Sequence, residues 1–205
     1  MNVEPRLRSV LAAVATCAVV NLAASHQAHA ERLQIAADLT SSFGTGQVSE
    51  LASPSIGGTA AARWVANDWL SLGVTGGLRR NVLATTDETA QNQRAELTAT
   101  TAGGTVRLTM PEVTTGTRPY FSLDAGYARF HTDHPDFDTL PTASATTGFF
   151  ATPELGITTM LGRHLSFEAA IRYEYLRAHA AMEVGDDFPK DLSGAGLAAG
   201  FAYVL

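Results

Sequence analysis

Bulky apolar side chains recur at every second residue through most of this 205-residue chain. That period belongs to a β-strand with two unlike faces, not to a helix. The last segment shows it most cleanly, with Ala195, Leu197, Ala199, Phe201, Tyr203 and Leu205 on one face and Gly194, Gly196, Ala198, Gly200 and Ala202 on the other. Segments near residues 32–43, 55–66, 69–82, 95–110, 119–131, 147–161, 164–177 and 193–205 follow the same rule, which predicts eight strands. The best patterned are Leu33/Ile35/Ala37/Leu39, Leu70/Leu72/Val74, Phe121/Leu123/Ala125/Tyr127, Phe149/Ala151/Leu155/Ile157/Leu161 and Leu165/Phe167/Ala169/Ile171/Tyr173/Tyr175. In the fourth segment Leu97 and Ala99 fall out of phase with Val106, Leu108 and Met110, which predicts a bulge at Gly103-Gly104.

The connections alternate in length. Ala66-Asn67-Asp68, residues 111–118 and Gly162-Arg163 are short, whereas residues 44–54, 83–94, 132–146 and 178–192 are longer, polar and rich in Asp, Gly, Pro and Thr. Short turns at one end and long loops at the other suit an eight-stranded antiparallel up-and-down transmembrane β-barrel, with both chain ends at the short-turn, periplasmic side. Closure matters because lipid cannot satisfy the N–H and C=O groups of an open sheet edge.

A soluble barrel would alternate too, so the polar face decides the solvent. It carries Asp38, Arg63, Arg79, Arg107, Asp124, Glu154, Glu168, Arg172 and Glu174 among Gly, Ser, Thr and Ala. Charges of both signs near strand centres can pair across a narrow lumen, and the interior of a small barrel has to be filled by side chains. The apolar face places aromatics near strand ends: Trp64, Trp69, Phe121, Phe167, Phe201 and Tyr203 on one side, and Tyr127, Phe149, Tyr173 and Tyr175 towards the other. This is the layout of two interfacial girdles, where an aromatic ring has one edge in lipid and the other in water.

Arg6 and Arg8 precede an apolar run from Val10 to Ala24, and Ala28-His29-Ala30 closes the segment with a small-x-small pattern, so residues 1–30 read as a signal peptide cleaved before Glu31. Residues 31–205 are then the barrel domain. Asn21, Ser25, His26 and Gln27 interrupt the run too early for a membrane-spanning helix. Cys17, the only cysteine, follows Val14-Ala15-Thr16, which is a poor match to a lipid-anchoring signal. Cleavage would leave 12 basic and 19 acidic residues, a net charge of −7 with no cysteine. An acidic chain of this kind is a poor partner for nucleic acid, and it has no means of making a disulfide or a Cys-based zinc site.

In three stretches the sequence resembles the eight-stranded OmpA/OmpX-type family of bacterial outer-membrane barrels. They are residues 119–127 (PYFSLDAGY), residues 165–175 (LSFEAAIRYEY) and the terminal Gly200-Phe201-Ala202-Tyr203-Val204-Leu205. The resemblance implies a monomer in the Gram-negative outer membrane, in contact with its lipid and lipopolysaccharide. It also implies recognition of the last strand by the assembly machinery; Tyr203 fits the family's terminal signal, whereas Leu205 stands where that family usually ends in Phe or Trp. The peptidoglycan-binding domain carried by some members is not expected after the barrel.

Three pieces of chemistry are open. Glu154 and Arg172 are expected to meet across the third short turn, at a depth comparable to Asp38, Arg63 and Asp124, as members of a charge network that plugs the lumen and leaves at most a narrow ion path. The segment His131-Thr132-Asp133-His134-Pro135-Asp136-Phe137-Asp138 holds two imidazoles and three carboxylates but matches no defined metal motif. With Asp87, Glu88, Glu183, Asp186 and Asp187 it forms an acidic crown suited to solvation and to divalent-ion bridges to lipopolysaccharide. His164, Ser166 and Glu168 are the only compact hydrolase-like set, and the strand pattern points Ser166 and Glu168 into the lumen, away from the outer leaflet. The expectation is a structural or surface-interaction barrel without catalytic residues, cofactor or metal; the alternatives are a narrow pore, a lipid A-modifying enzyme or a soluble lipocalin-like carrier.

Overall fold

The computed structural model describes residues 32–45, 54–84, 94–133, 143–178 and 191–205. The expected signal peptide, the loop acids Asp87, Glu88, Glu183, Asp186 and Asp187, and His134–Asp138 lie outside the described residues. Eight strands follow one another: β1 (Arg32–Gly44), β2 (Ser55–Val65), β3 (Leu70–Ala84), β4 (Arg94–Thr109), β5 (Thr117–Asp133), β6 (Ala143–Met160), β7 (Leu165–Ala178) and β8 (Gly194–Val204). Each pairs antiparallel with its sequence neighbour, and β1 pairs with β8 from Gln34↔Val204 to Gly44↔Gly194, so the sheet is a closed barrel.

Register fixes the geometry. The pairing runs Arg32↔Val65↔Ser71↔Arg107↔Ser122↔Glu154↔Arg172↔Gly196↔Ser42, so one circuit returns to β1 ten residues further on. That stagger on eight strands tilts them by about 40° from the barrel axis, and a barrel of this size has an interior just wide enough for side chains to fill.

Each short turn has a local cause. Asn67 ends β2 because its Oδ1 accepts hydrogen bonds from the backbone N–H of Trp69 (3.0 Å) and Leu70 (2.8 Å), closing an Asx turn. Gly116 supplies the positive φ of 77° in the turn before β5, a conformation most side chains disfavour. Pro153 lies inside β6 and has no N–H to donate. Pairing with β7 lapses between Ala151↔Tyr175 and Glu154↔Arg172 and then resumes in the same register.

The strands split cleanly into two faces. Leu39 (76% exposed), Val74, Leu78, Tyr127, Leu155, Ile171, Leu197 and Phe201 all point outward, while every member of the charged set from Asp38 to Glu174 points inward. A wall of exposed Leu, Ile, Val and aromatic side chains around a polar interior is stable only against an apolar solvent.

The predicted bulge is not there. β4 pairs without interruption to β3, from Leu70↔Leu108 to Ala84↔Arg94, and to β5, from Glu96↔Asp133 to Thr109↔Tyr120. Leu97 and Ala99 are out of phase because they face inward, where they join Ala128, Phe130, Phe150, Leu176, Ala178 and Leu192 in a buried apolar cluster. At the long-loop end the lumen itself turns apolar, so the same inner face is polar lower down and greasy at the top.

Candidate functional site

The interior of the barrel is the one place where reactive groups converge among the described residues. Near the short-turn end, Glu168 on β7 faces two guanidinium groups across the lumen. Arg107 Nη1 on β4 donates to Glu168 Oε1 at 2.7 Å, and Arg63 Nη1 on β2 lies 3.6 Å from Oε2. All three side chains are at most 4% exposed. The guanidinium of Arg107 also lies 3.5 Å from the centre of the Tyr120 ring, a cation–π contact made from the lumen floor. Gly156, the cross-strand partner of Tyr120, leaves room for that ring: a Cβ on Gly156 would come within 2.6 Å of Tyr120 Cζ.

Midway up, Glu154 Oε1 accepts from Tyr120 Oη at 2.8 Å and from Ser122 Oγ at 3.4 Å, while its Oε2 lies 3.8 Å from Arg172 Nη1. Higher still, Glu174 on β7 receives Arg79 Nη1 from β3 at 2.7 Å, a pair that crosses the full width of the barrel, and Arg172 Nε lies 3.3 Å from its other oxygen. Ser42 Oγ donates to Glu174 at 3.2 Å, and Arg79 Nε donates to Asn81 Oδ1 at 3.0 Å. Four arginines and three glutamates therefore form two stacked clusters linked through Tyr120, whose ring touches Arg107 and whose hydroxyl bonds Glu154.

Asp38 and Asp124 sit at the same inner face but form no ion pair among the described residues. Asp124 Oδ2 accepts from Thr75 Oγ1 at 3.2 Å, and its buried Oδ1 has no partner. Asp124, Thr75, Thr101, Thr152 and Arg79 border a cavity of about 30 Å³, room for about one or two water molecules by the usual ~10–15 Å³ threshold. Above it the apolar cluster of Leu97, Phe130, Phe150, Leu176 and Leu192 closes the lumen. Sequence reasoning missed this plug, along with Tyr120, Ser42, Ser55 and Asn81. Parity was the available signal: Phe130 and Phe150 alternate with the outward Tyr127 and Phe149, Leu176 is in phase with Arg172 and Glu174, and Tyr120 is in phase with Ser122 and Asp124.

His164, Ser166 and Glu168 do not assemble into a relay. Glu168 is held by the two arginines, Ser166 Oγ donates to the Ala202 carbonyl at 3.4 Å, and the His164 ring, in the turn, contacts the Val204 carbonyl through Nδ1 at 3.0 Å. The acidic segment after β5 is described only as far as Asp133, and His131 faces outward.

Residues 9–204 match the model of the outer membrane protein beta-barrel domain. The chain belongs to that family. No curated protein matches it in sequence. Among solved structures, this outer-membrane barrel is similar to Neisserial surface protein A (14% identity, 83% of this chain and 96% of that one, TM-score 0.59). It is also similar to the outer membrane protein OprG from Pseudomonas aeruginosa (12% identity, 86% and 96%, TM-score 0.56) and to a major outer membrane protein from Thermus thermophilus (14%, 86% and 100%, TM-score 0.50). At these identities the likeness concerns the fold. The chain is an outer-membrane protein, and the solvent of its apolar wall is lipid.

On that wall the aromatics of the outer-membrane barrel fall into two bands. Trp64, Trp69, Phe121, Phe167, Phe201 and Tyr203 ring the short-turn end, with Phe167 and Phe201 edge-to-face at 5.7 Å between centroids. Tyr127, Phe149, Tyr173 and Tyr175 lie towards the loop end, with Phe149 and Tyr175 5.7 Å apart. Phe167 and Tyr175 are eight residues apart on β7, about 26 Å along a strand and roughly 20 Å along the axis once tilted. That separation lies close to the height of an apolar band in such barrels.

Proposed function

We propose that this outer-membrane barrel acts as a structural or surface-interaction protein and is neither a pore nor a catalyst. The observation that supports this reading most directly is the filled lumen. Two ion-pair layers, Glu168 with Arg63 and Arg107, and Glu174 with Arg79, span it from the far walls, Arg172 joins Glu174 from the same strand, and an apolar plug caps them on the loop side. A buried ion pair contributes little net stability once desolvation is counted, but each member strongly disfavours leaving its partner alone. The interior therefore locks one register and closes the path.

In this reading residues 1–30 direct export and are removed, the two aromatic bands hold the barrel at the lipid interfaces, and the last strand through Tyr203 is read by the assembly machinery. The barrel stands as a monomer among lipopolysaccharide, with its four long connections outside the cell, where any binding specificity resides. Planar bilayers test the closed lumen: the purified barrel should leave the baseline current unchanged while running faster on a gel unheated than boiled, and reproducible single-channel steps would refute it. Protease treatment of intact cells tests the topology. Cleavage between His131 and Ala145 is expected, and protection of all four long connections would invert the orientation.

A further inference from the structure

We propose that a hollow on the lipid-facing wall between β6 and β7 binds an apolar chain that carries a hydroxyl group, with the Tyr173 backbone carbonyl as its acceptor. The occupant is a lipid of the surrounding bilayer, hydroxylated a few carbons below its headgroup.

The carbonyl is left over by the ladder. Across the turn that joins these two strands, the Leu161 N–H donates to the Leu165 carbonyl. In an antiparallel pair, opposed residues that exchange two hydrogen bonds alternate with opposed residues that exchange none. The bonded positions between β6 and β7 are therefore the odd-numbered ones, Leu155 with Ile171 and Ala151 with Tyr175. Pro153 and Tyr173 fall between those two pairs in the same series. Proline has no N–H, so the Tyr173 carbonyl loses its donor, and the lapse in pairing falls at this point. β8 offers no replacement, because the N–H and C=O of a strand residue point to the same side and those of Tyr173 face β6. A carbonyl without a donor is strongly disfavoured in a wall that meets hydrocarbon, where bulk water does not reach it.

The wall is recessed at the same place. Phe121 on β5, Pro153 and Leu155 on β6, Ile171 and Tyr173 on β7 and Ala195 on β8 border a hollow of about 410 Å³. Glu154 and Arg172 also border it, but their side chains turn inward to each other and to Glu174. Tyr175 lies two residues nearer the loops on β7, about 5 Å along the axis, so the Tyr173 carbonyl sits just inside the upper aromatic band. That is the depth of a hydroxyl borne near the carboxyl end of an acyl chain, not of a headgroup. An apolar body with one donor complements an apolar hollow with one free acceptor.

The test uses the full barrel in detergent micelles, with native mass spectrometry counting retained methyl β-hydroxymyristate or methyl myristate, two esters that differ by a single hydroxyl. The parent protein should retain the hydroxylated ester about tenfold better, as expected of one hydrogen bond made out of reach of water. Pro153→Ala returns the missing N–H to the ladder, so that preference should disappear while retention of methyl myristate stays the same. Ala195→Phe, which fills the hollow from β8, should lower retention of both esters by about tenfold. Heat-modifiable migration shows that each variant is folded. Equal retention of the two esters by the parent, or a preference that survives Pro153→Ala, overturns the carbonyl as the acceptor. Retention of both esters unchanged by Ala195→Phe overturns the hollow as the seat of the chain.

Discussion

Replacing Glu168 with glutamine removes one carboxylate that serves two arginines. Arg107 gives it a 2.7 Å hydrogen bond with both side chains 2% exposed, and Arg63, 4% exposed, lies 3.6 Å away. Breaking a buried ion pair at one partner costs about 3–5 kcal/mol, because the remaining charge stays desolvated. The glutamine oxygen can still accept from Arg107 and recovers about 1 kcal/mol of that, and Arg107 keeps its contact with the Tyr120 ring. The expected loss is thus about 2–4 kcal/mol. Urea unfolding in phospholipid vesicles measures it, followed by the fluorescence of Trp64 and Trp69, the chain's two tryptophans. On an Arg107→Met background, where the nearer of the two cations that E168Q would leave uncompensated is gone, E168Q should cost less by about 1.5 kcal/mol or more. Equal costs on the two backgrounds, within about 0.5 kcal/mol, would refute a coupled buried network.

Other outcomes follow from the same geometry. Gly156→Val should drive its side chain into the Tyr120 ring, losing about 1–3 kcal/mol as an overpacked site; Tyr120→Ala in the same chain should restore part of it, measured by the same urea titration. Phe130→Ala should lower stability by about 3–5 kcal/mol yet produce no current in planar bilayers, because the Arg79–Glu174 pair still crosses the lumen below it. Ile171→Arg on the lipid face should cost about 2–4 kcal/mol in vesicles, the range for a cation near the bilayer midplane. Lipids brominated near the carbonyl should quench Trp69 more than lipids brominated near the chain end, which a depth series of fluorescence spectra reads directly.

Most of the fold is legible in the sequence because a two-residue period and alternating connection lengths are both local signals. β7 and β8 fall within one residue of where alternation puts them, since an apolar residue at one position and a charge, Gly or Ala at the next leaves no doubt about the face. The third short turn also lets Glu154 and Arg172 be matched before any coordinates, as neighbouring strands share a register set by the turn. The arginines that reach Glu168 and Glu174 from across the barrel, Arg63, Arg107 and Arg79, are not legible in this way. They lie on β2, β3 and β4, three or four strands away, and only the circumference and stagger of the closed barrel bring them together. The apolar plug is hidden for a different reason. The residue types of Leu97, Phe130, Phe150 and Leu176 do not distinguish an inner apolar residue from a lipid-facing one, and parity alone carries the difference, so in β4 the change of lining looks like a change of phase and reads as a bulge.

The claim on which everything else depends is that the apolar side of each strand meets acyl chains while the charged side lines a sealed interior. Single cysteines along β8, placed in a Cys17→Ser background and spin-labelled after reconstitution into vesicles, test it residue by residue. Labels at positions 195, 197, 199, 201 and 203 should collide freely with oxygen dissolved in the bilayer, and those at 196, 198, 200 and 202 should be shielded from it. High oxygen collision rates at the even positions, or equal rates at both sets, would contradict the orientation of the wall and the membrane assignment of its faces.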